Sequence, residues 1–382
     1  MGARPVDVDV LVIGAGQAGL SSAYFLRRAG FPQGTGYVVL DSAPRPGGAW
    51  QYRWPTLTLG DVHGIYHLPG MELAAKGMHR PAAEVIPAYF ADYEAEFELP
   101  VRRPVRVRSV RTGPDRTLVV DSDAGAFAAR AVINATGTWG HPFWPHYPGQ
   151  ETFAGRQLHT VDYRGPAEFA GKRVVVVGGG TSAVQLLIEI AKVADTTWVT
   201  RRPPIFREEV FSPERGRAAV ALVDAAVRAG RPPDSVVSVT GLTSTPAVGE
   251  ARARGVLDRL PMFERITAEG VSWADGRHRR ADMILWCTGW RAVLEHLAPL
   301  HLRGPGGGIV MDGTRVVAQP RLHLVGYGPS ASTIGANRAG RAAVHEIRKL
   351  LAETDTAETD TAETDSDETD SDETGADPVA VG

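Results

Sequence analysis

Cysteine is almost missing from this sequence, with Cys287 the only one in 382 residues. No intramolecular disulfide can form, and no Cys-x-x-Cys dithiol can carry electrons through the protein. Such usage fits a reducing compartment. Long apolar runs are missing too, so no segment supplies the roughly 20 apolar residues that a membrane-crossing helix needs. The opening "MGARPVDVDVLVIG" runs straight into an apolar strand and lacks the basic start, apolar middle and small-residue cleavage site of a leader. It also lacks the Ser or Thr at position six that myristoylation requires. The expectation is a soluble cytoplasmic protein with no membrane contact. Lysine is scarce as well: Lys76, Lys172, Lys192 and Lys349 stand among 41 basic residues. That bias suggests a GC-rich bacterial genome and carries no functional weight.

Positive charge is absent from the C-terminal segment. From Ala352 onward there are 12 acids and no Lys or Arg, which leaves 32 acids against 41 bases over residues 1–351. The segment is a five-residue repeat, AETDT, AETDT, AETDS, DETDS, DETGA. It has no apolar face and repels itself, so a disordered, solubilising tail over 352–382 is expected. The basic body could attract nucleic acid. Its arginines are scattered, however, and no nucleic-acid-binding motif is present, so no nucleic-acid partner is expected. No metal-ligand cluster is evident either.

What the chain does have is 43% apolar residues and 43 glycines, enough for two packed domains. Strands and helices alternate. A buried strand is expected at 9–14, a helix at 17–30 and a strand at 37–41. The unit returns as a strand at 173–178, a helix at 181–194 and a strand at 196–201. Two strand–glycine turn–helix–strand units predict an α/β fold with two Rossmann-like dinucleotide-binding domains. The segments 282–290 and 321–328 read as strands returning to the first sheet, and a last helix is expected over about 335–351.

The first glycine turn is Gly14-Ala15-Gly16-Gln17-Ala18-Gly19. The first glycine permits the tight turn, the second lets backbone approach a pyrophosphate, and the third lets helix and strand pack closely. The phosphate then faces the helix N-terminus, where free N–H groups and the dipole favour negative charge. Asp41 ends the next strand, where a carboxylate accepts ribose hydroxyls. The second turn is Gly178-Gly179-Gly180-Thr181-Ser182-Ala183, and its second strand ends in Arg201 and Arg202 instead of an acid. Cations there suit a 2′-phosphate. The first site therefore suits FAD and the second NADPH. With one cysteine, an exit for electrons through a dithiol is excluded, and Cys287 reads as a small buried residue.

The segments "GAGQAG", "PGGAW" (46–50), "NATGTW" (134–139), "FAGRQLHTVDYR" (153–164), "GGGTSA" and "WCTGW" (286–290) occur in an order that resembles the class B flavin-containing monooxygenases, over about residues 7 to 350. The signature Phe-x-Gly-x3-His-x3-(Tyr/Phe)-(Lys/Arg) of that family matches Phe153, Gly155, His159, Tyr163 and Arg164. The resemblance implies a glutathione-reductase-like FAD domain formed by residues 1–150 and 285–351, with an NADPH domain inserted at 151–284. It implies that Gly48 and Trp50 border the flavin, that Val107 holds the adenine through its backbone, and that Gly326 closes a strand beside the flavin. Thr136-Gly137 and Thr288-Gly289 are the implied linkers between domains. His159 is implied to set the NADPH domain against the flavin without transferring a proton. The motif does not end in the Trp and Pro or Asp usual in the Baeyer–Villiger branch.

One position departs from the family. Many members carry an Asn after the Gly-Gly-x-Trp element, whereas "LTLGDVHGIYHLPG" (57–70) has none, and Asp61 lies at or near that place. His63, Tyr66 and His67 share the loop. The implied reaction passes hydride from NADPH to the flavin, adds O₂ at flavin C4a, and delivers one oxygen atom to a small nitrogen, sulfur or similar nucleophile. Loss of the Asn puts the stability of that oxygen adduct in question. Three other readings stand beside it: Baeyer–Villiger oxygenation of a ketone, an uncoupled NADPH oxidase or reductase, and a non-catalytic redox-sensing flavoprotein. The expected partners are a small-molecule substrate and O₂. A homodimer is common in such enzymes, but the sequence does not fix the oligomeric state.

Overall fold

The structure, a computed structural model, describes residues 4–62, 65–74, 77–207, 213–233 and 241–369. β1 (Val6–Ile13), α1 (Gln17–Arg28) and β2 (Tyr37–Leu40) form the first unit. β2 is buried at all four positions, and β1 at Val10, Leu11, Val12 and Ile13. Such continuous apolar runs are what a parallel sheet covered on both faces requires. α1 stops where Gly30 takes a left-handed φ of 88°, with Arg27 and Arg28 in the last turn, both favourable at a helix C-terminus.

The first sheet continues with β3 (Val101–Arg102) and with β4 (Val107–Thr112), β5 (Leu118–Ser122) and β6 (Gly125–Asn134). β3, β2, β1 and β6 are parallel neighbours, and the strand Gln319–Leu324 adds parallel to β6 on the far side. β4 and β5 hang from β6 as an antiparallel meander. A second helix, α2 (Ala82–Glu96), packs Ile86, Tyr89, Phe90 and Tyr93 into the core. Neither α2 nor the meander was anticipated from periodicity.

The second sheet is wholly parallel. Its order is Arg259–Pro261, β9 (Asp195–Thr200), β8 (Arg173–Val177), Met283–Trp286 and β7 (Arg156–His159). α3 (Thr181–Ile190) follows β8 and buries Ala183, Val184, Leu186, Leu187 and Ile190. The two sheets, each with its glycine turn and helix, confirm the α/β fold with two Rossmann-like units.

One strand goes elsewhere than expected. Met283–Trp286 does not return to the first sheet but sits between β7 and β8, fully buried. Its apolar run suits any doubly covered strand, so periodicity could not tell the sheets apart. What commits it is Trp286, which stacks on Tyr147 at 5.9 Å and donates through Nε1 to Gln157. The chain therefore crosses back after Trp286, and Gln319–Leu324 is the strand that rejoins the first sheet, as the segment 321–328 had suggested.

The last helix, Thr333–Thr369, packs Ala336, Ala343, Val344 and Ile347 against the core. It is longer than the expected 335–351 and runs on into the acidic repeat. The repeat begins as docked helix: Asp355 pairs with Arg130, and Arg321 donates to Thr354. Residues 370–382 lie outside the described residues. No helix among the described residues is long and apolar enough to cross a membrane.

Candidate active site

Three segments converge on the N-terminus of α1. Gly14, at φ 98°, lies so close to the end of β6 that an added Cβ would stand 2.6 Å from the Ala135 carbonyl oxygen. At Gly19 the same atom would stand 1.8 Å from the Gly14 carbonyl oxygen, so only glycine lets α1 pack on its own turn. Gly48, from the Gly-Gly-x-Trp element, would meet the Cα of Gly16 at 2.8 Å, and Gly326 would meet Ala18 at 3.2 Å. At Gly16 the nearest atom is 3.8 Å away, so the backbone there borders space. Gly16 caps the helix without a side-chain acceptor, leaving the first-turn N–H groups of Gln17, Ala18 and Gly19 without one. A cradle that a Cβ would fill, opening onto uncapped N–H groups, fits a pyrophosphate.

Asp41 stands at the end of β2, 7% exposed. Its Oδ2 accepts from Arg103 at 3.2 Å, and Arg103 is also held by Glu94 at 2.6 Å. Among the described residues Oδ1 accepts only the Ala43 N–H, at 3.2 Å, which leaves it capacity for a ribose hydroxyl. The Val105 N–H donates to the Asp41 carbonyl, so Val107, at the start of β4, lies two residues beyond a bond to that site. Gln17 turns away from the turn and donates to Asn337 in the last helix at 2.9 Å.

The second turn repeats the first with fewer constraints. Gly178, at φ 141°, would put a Cβ 2.2 Å from the Cys287 carbonyl oxygen, while Gly180 has nothing within 4 Å. Gly180 caps α3 and offers no side-chain acceptor to Thr181, Ser182 and Ala183. Arg201 and Arg202 follow β9, both exposed, where a phosphate beyond that strand end could meet them.

Between the two units lies the signature segment. His159 ends β7 with no exposure. Its Nδ1 accepts from the Val161 N–H at 3.3 Å, so Nε2 carries the proton toward the Gly289 carbonyl, 3.1 Å away. Burial pushes its pKa below the ordinary value, against the pull of that carbonyl and of Asp162, so the ring is neutral near pH 7. Gly155 closes the approach of the segment to Asp282, where an added Cβ would lie 2.4 Å from that carbonyl. Tyr163, fully buried, meets Trp54 edge-on at 6.4 Å. Arg164 donates to the Val161 and Tyr163 carbonyls and so closes the loop on itself.

The linkers bind one another. Thr136 donates to the Val293 carbonyl at 2.6 Å, and the Gly289 carbonyl accepts the Phe143 N–H at 2.9 Å. Thr288 donates to the Phe143 carbonyl. Asn134 donates to Thr136 and accepts from His296 at 2.6 Å, which fixes the end of β6. Cys287, between these elements, is buried, and desolvation pushes its thiol up to about 12, which makes it unreactive.

Asp61 lies on the other side of this joint. It is exposed, and its carboxylate accepts from Thr58 at 2.6 Å. Its carbonyl accepts from Gln185 of α3, while Thr56 bonds Glu189 of the same helix at 3.0 Å. These contacts border a cavity of about 580 Å³ lined by Trp54, Asp61, Thr181, Gln185 and Pro246, among others. Asp61 and Thr181 thus share one cavity. Tyr66 and His67 are tied elsewhere, through their backbones to Thr333 and Asn337. His63 lies outside the described residues.

A cluster of aromatic residues was missed. Arg53 sits over the rings of Trp139, Trp290 and Trp50, its guanidinium carbon 4.6, 5.4 and 5.5 Å from their centroids. Trp139 stacks on Trp290 at 5.2 Å, and Trp290 meets His159 edge-on at 5.4 Å. The available signal was a tryptophan close behind each Thr-Gly pair, at 139 after an intervening Thr138 and at 290 directly.

Comparison with known proteins gives four results. A family profile described as pyridine nucleotide-disulphide oxidoreductase matches residues 11–214. A solved structure of a flavin-containing monooxygenase from Stenotrophomonas maltophilia is 41% identical, with a TM-score of 0.77 over 91% of this chain and 99% of that one. A ferredoxin–NADP reductase from Ralstonia pickettii is 31% identical over 70% of this chain and 71% of its own length. An open structure of cyclohexanone monooxygenase, 20% identical at a TM-score of 0.61, shares the fold.

Proposed function

The chain belongs to the class B flavin-containing monooxygenases, enzymes that use FAD and NADPH, and on that premise we propose that it transfers one oxygen atom of O₂ to a small nitrogen or sulfur nucleophile. The observation that carries this reading is the pairing of two dinucleotide cradles with a lone, buried, unreactive cysteine. Electrons taken from NADPH have no thiol to leave by, so they must pass from the flavin to a diffusible acceptor. The bound flavin would supply hydride acceptance and oxygen activation.

The chain's own residues bind and orient. Gly14, Gly16, Ala18 and Gly19 would receive the FAD pyrophosphate, with Asp41 on the ribose and Val107 near the adenine. Gly48, Trp50 and Gly326 would border the flavin. Gly178, Gly180, Thr181, Ser182 and Ala183 would receive the NADPH pyrophosphate, and Arg201 with Arg202 its 2′-phosphate. Residues 1–150 and the segment beyond Trp286 would then form the FAD domain, with the intervening residues carrying NADPH. His159, neutral and bonded to Gly289, would hold the linker at a fixed angle and keep water out.

A second reading, an uncoupled oxidase, draws on Asp61. An exposed carboxylate stands near the place of the usual Asn, and its oxygens accept but cannot donate when ionised. Turnover with a sulfide and with a ketone separates the outcomes. The proposal expects sulfoxide formed in near-equal amount to NADPH consumed. Ester product from the ketone, or peroxide accounting for the NADPH, would replace it.

A further inference from the structure

Arg53 is a cation without an anion. Among the described residues no carboxylate, carbonyl or hydroxyl accepts from its guanidinium, and its Nε is buried with no partner. Trp50, Trp139 and Trp290 surround it, but an indole has no lone pair to offer its N–H groups. Trp290 adds a second orphan, since its own Nε1–H is buried and unpaired. Two unsatisfied donors therefore share one aromatic cage. Burial alone acts on the guanidinium, pushing its pKa down to about 10, with no nearby acid to offset it. Elsewhere in this chain half-buried arginines are matched: Arg103 holds Asp41 and Glu94, and Arg130 holds Asp9 and Asp355.

A buried charge left unpaired is costly, and proteins keep one where a ligand completes it. The missing group must accept at least two hydrogen bonds and carry negative charge. A planar carboxylate meets both demands, because a guanidinium presents its donors as a fork that matches two oxygens. The cage is also well placed. Trp50 belongs to the Gly-Gly-x-Trp element, whose Gly48 touches Gly16. Trp290 follows Gly289 and touches His159. The cage thus joins the first glycine turn to the signature histidine. Each phosphate of the two cofactors already has a glycine turn or an arginine pair in the assignment above, and Arg53 is surplus to them.

We infer that Arg53, with the Nε1–H of Trp290, forms a subsite for the carboxylate of an acidic substrate, so that the nucleophile oxygenated carries an anionic group. This rests on the monooxygenase reading for the fate of the ligand, though not for its binding. The test uses the FAD-bound, oxidised enzyme without NADPH, so that no turnover is needed. Affinity is measured by tryptophan fluorescence for thioanisole, for 4-(methylthio)benzoate and for the methyl ester of that acid. The wild type should bind the carboxylate about 10- to 100-fold more tightly than the sulfide or the ester, as charge-assisted bonds to one fork would give. Arg53→Met keeps the apolar stem and should abolish the preference, whereas Arg53→Lys should keep part of it.

If the Met variant does not fold, Trp290→Phe removes the other donor and should reduce the preference about threefold. Equal affinities in the wild type would overturn the inference. So would a preference that survives Arg53→Met. A rise in the NADPH Michaelis constant of Arg53→Met, without any carboxylate preference, would overturn it too by giving the guanidinium to a cofactor phosphate. An enzyme that prefers the carboxylate yet yields only peroxide would sink the monooxygenase reading and leave the subsite standing.

Discussion

Single side chains in this protein are read most clearly through charge. Arg201 and Arg202 are exposed beyond β9, and among the described residues no ion pair holds either. Arg201→Ala should raise the Michaelis constant for NADPH about tenfold or more while changing that for NADH less than threefold, the difference being one charge-assisted contact to the 2′-phosphate. Steady-state kinetics with both nucleotides measures it, and equal changes would remove the assignment. Two buried histidines give a second prediction. His323 is pushed down to about 4 by burial and by Arg315, and it bonds Thr314 at 2.9 Å, with Glu346 3.9 Å away. His296, bonded to Asn134, is pushed down to about 4 by burial, against the opposing charge of Glu295. Both are neutral in the fold but take a proton when unfolded below about 6.5. Stability is therefore full above that value and falls as pH drops toward 4, by at most about 3 kcal/mol for each histidine. Melting temperature followed from pH 7.5 to 4.5 should decline, and His323→Gln and His296→Gln should each flatten the slope. A curve equally steep in both variants would contradict this. Asp282, held well below the usual carboxylate range by Arg173, acts only at still lower pH.

At the scale of elements, the two glycine turns look alike in sequence but differ in what they tolerate. Gly16 and Gly180 both border space, whereas Gly19 does not. A valine at either open position should fold, yet fill a cradle. Gly16→Val should give a colourless protein with a cooperative thermal transition. Gly180→Val should stay yellow and lose reduction by NADPH. Absorbance and anaerobic reduction distinguish the two, and a yellow Gly16→Val protein with full flavin would refute the assignment of the first turn. The two Rossmann units were legible because each compresses strand, turn and helix into a short run whose periodicity changes once. Their boundaries were not. Met283–Trp286 is apolar on both faces, and only its pairing with β7 and β8 shows to which sheet it belongs. α2 and the β4–β5 part of the meander escaped notice, since α2 carries Pro87 within it and β4 and β5 are only six and five residues long. The continuation of the last helix beyond Leu351 depends on Arg130 and Arg321, two cations far away in sequence.

For the molecule as a whole, function follows from how the two units are joined. The signature segment read as a loop with a histidine and an arginine, and its meaning lies in three dimensions. His159 reaches the Gly289 carbonyl, Gly289 receives Phe143, and Thr136 reaches Val293, so three crossings form one hydrogen-bonded joint. The glycine motifs point to two candidate cofactor sites, but the sequence could not show that Arg53 would be enclosed by tryptophans from three separate segments. The central claim is that electrons crossing this joint end in an oxygen atom inserted into a substrate. The measurement that tests it most directly supplies NADPH and isotopically labelled O₂ to the FAD-bound enzyme with 4-(methylthio)benzoate and with thioanisole. The account predicts one labelled oxygen atom in the sulfoxide for nearly every NADPH consumed. Unlabelled product, or labelled peroxide in place of sulfoxide with every substrate supplied, would contradict it.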